Sequence, residues 1–160
     1  MAANATPATK LLAAEKIPHN VHRYTHDPRS QRFGDEAVEA MGVPAGQVFK
    51  TLVVELPDGK LGVAVLPVPS KLSLKAVAAA LGVAKAAMAD PAKAQKVTGY
   101  VVGGISPIGQ RRLLPTVVDA SAMTWERVFC SAGRRGIEIE LAPSDLVRCT
   151  AAVLADITAG

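Results

Sequence analysis

Apolar positions along the chain alternate between a period of two and a period of three to four, and the switches divide it into short strands and helices. Thr6-Pro7 followed by "ATKLLAAEK" predicts an N-cap, a proline at the first helical position and an amphipathic helix ending before Pro18, with residues 1–5 frayed ahead of it. "NVHRYTH" alternates as a strand, with His22, Tyr24 and His26 on one face and Val21, Arg23 and Thr25 on the other. "DPRSQRFG" reads as a loop, and "DEAVEAMG" as a short helix with acidic residues at its start and Gly42 at its stop. In "VFKTLVVEL", period two places Val48, Lys50, Leu52, Val54 and Leu56 on one face, and Lys50 is the one charge among them. "PDGK" is a hairpin signal and "LGVAVLPV" the returning strand, so an antiparallel pair is expected.

"SLKAVAAALG" predicts a helix capped by Ser73 and stopped at Gly82, and "DPAKAQKVTG" repeats the device with Asp90, Pro91 and Gly99. "LLPTVVD", "WERVFC" and "IEIEL" follow as strands, the last with Ile137, Ile139 and Leu141 inward and Glu138 and Glu140 outward. In "PSDLVRCTAAVLADI" the spacing of Leu146, Val147, Thr150, Val153, Leu154 and Ile157 predicts a terminal amphipathic helix over the sheet. The sum is an α/β domain with a mixed, largely antiparallel sheet and no regularly alternating βαβ units. At 160 residues, without a linker-like segment, residues 1–160 suit a single domain.

Hydrophobic residues make up 49% of the chain and aromatics 4%, so the interior is built from Ala, Val, Leu and Ile, with little aromatic surface left for base stacking. Eighteen Lys and Arg against fourteen Asp and Glu give a net charge of +4, which favours a polyanionic partner without demanding one. Cys130 and Cys149 read as reduced thiols of a cytoplasmic protein, with no secretory pattern and no apolar run that would span a bilayer.

Lys50 has two readings. Its stem snorkels from the end of an apolar face, or its ammonium is held in a cleft to meet an anion or a carbonyl. In "TGYVVGGISPIGQRR", Gly103 and Gly104 permit close approach of a ligand to main-chain N–H groups, although a Gly-Gly before Ser-Pro is most often a plain connection. In "SAGRRG", Ser131, Arg134 and Arg135 occupy a turn, and with Arg111 and Arg112 they place four arginines in two Gly-rich loops, a pattern suited to phosphate. His19, His22 and His26 lack the Cys or acidic partners of a zinc set, so no metal and no cofactor are expected. Cys130 and Cys149 read as small packed residues rather than nucleophiles.

The order of "TPATKLL", "HDP", "FGDEA", "VFKTL", "MADPAKAQKVTGYVVGGISPIGQ" and "SAGRRG" resembles the YbaK/EbsC family of aminoacyl-tRNA deacylases, relatives of the prolyl-tRNA synthetase editing domain, over nearly the whole chain. It looks closest to the Cys-tRNA(Pro) deacylase branch. The resemblance implies a barrel-like mixed sheet with surrounding helices and hydrolysis of an amino acid wrongly esterified to tRNA(Pro), with Lys50 as the functional lysine. Catalysis is expected from Lys50, Gly103 and Gly104. Tyr24, Thr51, Tyr100, Ser131, Arg134 and Arg135 are expected around the bound acceptor end. Where relatives carry "SGGKRG" this chain has "SAGRRG", so Ala132 narrows the loop and Arg134 offers a planar fork to phosphate. The family further implies prolyl-tRNA synthetase as a partner, no membrane, and self-attack by the thiol of a cysteinyl ester. The competing readings are a module that binds nucleotide or aminoacyl-tRNA without turnover, and a deacylase for Ala or Ser.

Overall fold

The computed structural model describes residues 5–27, 29 and 33–159. Residues 1–4 of the expected frayed stretch, and much of the expected loop at 27–34, lie outside the described residues. The hairpin read from "VFKTLVVEL" and "LGVAVLPV" is the centre of the fold. Strands β2 (Phe49–Glu55) and β3 (Leu61–Pro67) pair antiparallel, from Phe49 opposite Pro67 to Glu55 opposite Leu61. The turn between them, Pro57–Gly59, uses positive φ at Asp58. Every residue of β3 is buried, because β6 (Thr116–Asp119) lies parallel on its far side, and β9 (Val153–Ala155) lies parallel to β6. β5 (Ala87–Met88) completes the order β5-β2-β3-β6-β9. A second sheet of order β1-β8-β7 (His19–Arg23, Ile137–Leu141, Val128–Ser131) is antiparallel throughout, and β4 (Lys71–Leu72) pairs with β10 (Thr158–Ala159).

Among the described residues a single parallel bridge, Val48 to Phe129, joins the two larger sheets. The barrel-like curl therefore stops short of closure, and the sheet lies in separate ladders.

The helices start and stop where their chemistry dictates. Thr6 caps α1 (Pro7–Ala14) in a reciprocal capping box with Thr9, and its hydroxyl also donates to Ala132 O in a distant turn. Ser73 and Asp90 accept from the backbone of the first turns of α3 (Leu74–Leu81) and α4 (Pro91–Thr98), which end on Gly82 and Gly99. α2 (Phe33–Met41) lays Ala37, Val38 and Met41 over Val48 and Phe129. Period two along β2 divides the core: Phe49 and Val53 face the larger cluster with Val63, Ile139 and Leu141, while Val54 faces a second cluster with Leu66, Val77 and Val117. Each fully buried aliphatic side chain here contributes about 1.5–3 kcal/mol. Among the described residues no helix is long and apolar enough to cross a membrane.

Two expectations need correction. The terminal helix α5 (Pro143–Thr150) stops at Ala151 in a left-handed conformation, and Val153 and Leu154 join the sheet edge as β9 rather than extending the helix. The open edge of β6 supplies backbone partners that local periodicity cannot reveal, and Asp119 accepts from Ile157 N to fix the exit. In β8, Glu138 and Glu140 are not on a solvent face: β8 is the middle strand of its sheet, and α2 covers that second face. Arg135, exposed in its turn, lies against Phe33 and donates to Val102 O.

Candidate active site

The two larger sheets, α2 and the start of α4 enclose a cavity of about 450 Å³. Lys50 reaches it from β2, Tyr24 from the end of β1, Gly103 and Ile105 from the loop after α4, and Ser131 and Arg134 from the turn after β7. Lys50 is the charge that interrupted an apolar row in the sequence, and its Nζ donates to Ser70 O at 2.7 Å. Desolvation pushes its pKa below the ordinary lysine value, opposed by the charge of Asp35 at the start of α2. An ammonium held at a cavity wall, with one N–H on a carbonyl and two more to offer, is equipped to meet an anion or a polarised carbonyl.

Opposite stands a group that sequence reasoning placed outside. Glu138 is 5% exposed and lines the cavity. Burial lifts its pKa from 4.5 to about 8, so its carboxyl is mostly protonated at neutral pH. Tyr24 shares this environment: burial first, then the charge of Glu138, pushes its phenol up to about 12. Thr51 Oγ1 is buried in the same cavity wall with no hydrogen-bond partner among the described residues. The alternation in "IEIEL" suggests two solvent-facing glutamates. The one hint against it is the amphipathic "FGDEAVEAM", a helix that needs a surface to cover.

Gly103 and Gly104 are bare because the turn at 131–136 packs directly on them. A Cβ on Gly104 would meet Arg134 Cα and Arg135 N at 3.0 Å, and one on Gly103 would meet Phe33 and the Arg135 guanidinium at under 3.0 Å. Ser131 Oγ donates to Gly104 O at 3.0 Å and accepts from Gly133 N at 3.1 Å, fastening the two loops together. The N–H of Gly104 is taken by Val101 O at 2.9 Å, and of this pair it is Gly103 that lines the cavity. The Arg135 guanidinium lies 4.2 Å from the Phe33 ring centroid and donates to Val102 O, so the wall closes over the start of α2. Tyr100 sits beneath the wall: it is buried, its hydroxyl donates to Ile108 O at 2.7 Å, and it does not line the cavity.

The four arginines do not form one group. Arg134 lines the cavity, Arg111 donates to Lys96 O, and Arg112 lines a second concavity beside Lys60 and Lys93. His22 and His26 pair separately with Glu140 and Glu36, at 2.7 and 2.6 Å. Burial pushes the Cys130 thiol far up, which disfavours the thiolate.

The family model for the aminoacyl-tRNA editing domain matches residues 32–149. The chain belongs to that family. Among relatives of this editing domain, the Enterococcus faecalis protein EbsC, a candidate Cys-tRNA(Pro)/Cys-tRNA(Cys) deacylase, is 34% identical over 96% of this chain and 93% of its own. A proline–tRNA ligase of Shouchella clausii is 31% identical over 64% of this chain, a match that spans 18% of the ligase. A solved structure described as a candidate trans-editing enzyme for prolyl-tRNA synthetase superposes with a TM-score of 0.81 at 25% identity, covering 98% of this chain and 99% of that one. The expected editing-domain fold is thus the observed one, apart from the unclosed sheet.

Proposed function

We propose that this editing domain acts in trans as a hydrolase of mischarged tRNA, removing the amino acid wrongly esterified to tRNA(Pro), with cysteine as the preferred acyl group. The observation that carries the assignment of the site is the Lys50 ammonium on the wall of a cavity floored by apolar side chains, in a chain that belongs to the editing family.

An aminoacyl ester is already activated, so the protein needs chiefly to hold the carbonyl, stabilise its developing charge and admit a nucleophile. Lys50 anchors the terminal nucleotide or polarises the ester, and the main chain at Gly103 lies against the acyl end. Tyr24, Thr51 and Ser131 contact the aminoacyl-adenosine, and Arg134 meets a backbone phosphate. Arg135, Gly104 and Tyr100 act by keeping the wall in place. For a cysteinyl ester, the substrate thiol loses its proton and its sulfur bonds to the carbonyl carbon. The ester C–O bond breaks, the ribose oxygen takes a proton, and water opens the cyclic thioester to free cysteine. No protein nucleophile is required, in keeping with the raised pKa of Cys130.

Discrimination between side chains that differ by little is worth only about 1–3 kcal/mol in a pocket, and thiol self-attack supplies the remainder. With few aromatics and a net charge of +4, recognition of the tRNA body falls to prolyl-tRNA synthetase in a cytoplasmic complex. The test is deacylation of mischarged tRNA(Pro) with and without the synthetase. Release of the amino acid at a rate above the spontaneous one supports the reading, and tight binding without turnover selects a binding module instead.

A further inference from the structure

Glu138 is the buried acid that the mechanism above does not use. It is 5% exposed, lines the cavity and has no hydrogen-bond or ion-pair partner among the described residues. Desolvation is the one influence moving its titration, so the cations of the cavity do not compensate it. Of the neighbouring charges, Arg134 of the same cavity is engaged, and the others are engaged or distant in effect. His22, directly across the ladder, pairs with Glu140. On α2, Glu36 holds His26, and Asp35 acts on Lys50. Lys50 itself donates to Ser70 O, and Tyr24 is a neutral phenol.

A carboxyl buried without a counter-charge is costly, and such groups persist in folded proteins where a ligand supplies what is missing. The ligand of this site carries one cation that is always close to its ester: the α-ammonium of the amino acid. An ammonium brings three N–H donors and therefore needs more than one acceptor. The Thr51 hydroxyl, buried and unpartnered in the same wall, is a second.

We propose that Glu138, with Thr51, receives the α-ammonium of the esterified amino acid and so restricts the site to esters with a free amino group. This rests on the deacylase reading but adds a recognition rule to it: N-acylated aminoacyl and peptidyl esters are disfavoured because they forgo the charge-assisted contact with the buried acid.

The experiment uses a non-hydrolysable probe, 3′-deoxy-3′-(L-cysteinylamino)adenosine, and its N-acetyl form, titrated by calorimetry into the full chain. Wild type should bind the free-amine probe about 10–100-fold more tightly, the range of a charge-assisted contact. At pH 7 it should release close to one proton on binding, because the ammonium stabilises the carboxylate and Glu138 gives its proton to solvent. Glu138→Gln should reduce the preference to near unity, lose the proton release and leave the affinity for the N-acetyl probe unchanged. Glu138→Asp should recover part of the preference, and Thr51→Val should weaken the free-amine probe more than the N-acetyl one. Equal affinities for the two probes in wild type, an unchanged ratio in Glu138→Gln, or no binding of either probe overturns the proposal. Deacylation of Cys-tRNA(Pro) is measured alongside. Turnover with a ratio of one removes the ammonium assignment and leaves the deacylase reading standing, whereas a high ratio without turnover does the reverse.

Discussion

Replacing Glu138 by Gln should stabilise the protein at alkaline pH and leave it unchanged in acid. The carboxyl titrates near 4.5 when exposed and at about 8 in the fold. Below pH 4.5 both states hold the proton and Glu138 costs nothing. Between 4.5 and about 8 the unfolded chain gives the proton up while the folded chain keeps it, so stability falls as pH rises, by at most about 1.4 kcal/mol per unit. Above that window the full difference is present. With the 5% exposure of the residue, solvent screening is small, and the accumulated cost is on the order of 4–5 kcal/mol. Gln keeps the shape and removes the ionisation. Urea unfolding at pH 4, 7 and 9 should therefore give nearly matching midpoints at pH 4 and a gap that widens to several kcal/mol in favour of the variant at pH 9. The comparison cancels Asp27 and Glu36, whose lowered pKa values give the opposite slope in both proteins. Parallel curves across this range would refute the reasoning, since they would mean the carboxyl is compensated in the fold.

Lys50→Ala should abolish deacylation while leaving the unfolding midpoint nearly unchanged; turnover at the wild-type rate would remove the lysine from the mechanism. Release from Cys-, Ser- and Ala-charged tRNA(Pro) should rank cysteine far ahead, and equal single-turnover rates would exclude thiol self-attack. Gly104→Ala should destabilise by about 1–3 kcal/mol, because the added methyl meets backbone atoms at 3.0 Å that no rotamer change can move; denaturant midpoints report it. Affinity for the acceptor end should fall with salt at a slope of about −0.7 per neutralised phosphate, and Arg134→Ala should flatten that slope by about one such step.

The hairpin of β2 and β3 and the capped helices α1, α3 and α4 were legible because local signals and tertiary structure agree there: Ser73 and Asp90 cap, Gly82 and Gly99 stop, and period two sorts β2 between two clusters. The site was legible at Lys50, where a charge stood in an apolar row. What escaped depends on partners remote in sequence. Val153 and Leu154 follow helical spacing but pair with β6. Glu138 follows strand alternation, yet its outward face is roofed by a helix a hundred residues earlier in the chain. The arginine pairs looked equivalent, but one guanidinium stacks on Phe33 and another faces a different concavity.

The hydroxyl that caps α1 also grips the carbonyl of Ala132, 126 positions away, between Ser131 and the arginines. One oxygen thus serves as both the start of a helix and the guy-rope of the cavity wall. Replacing Thr6 by Val would cut that rope and remove the helix cap together, so packing of the turn and the start of α1 would loosen as one.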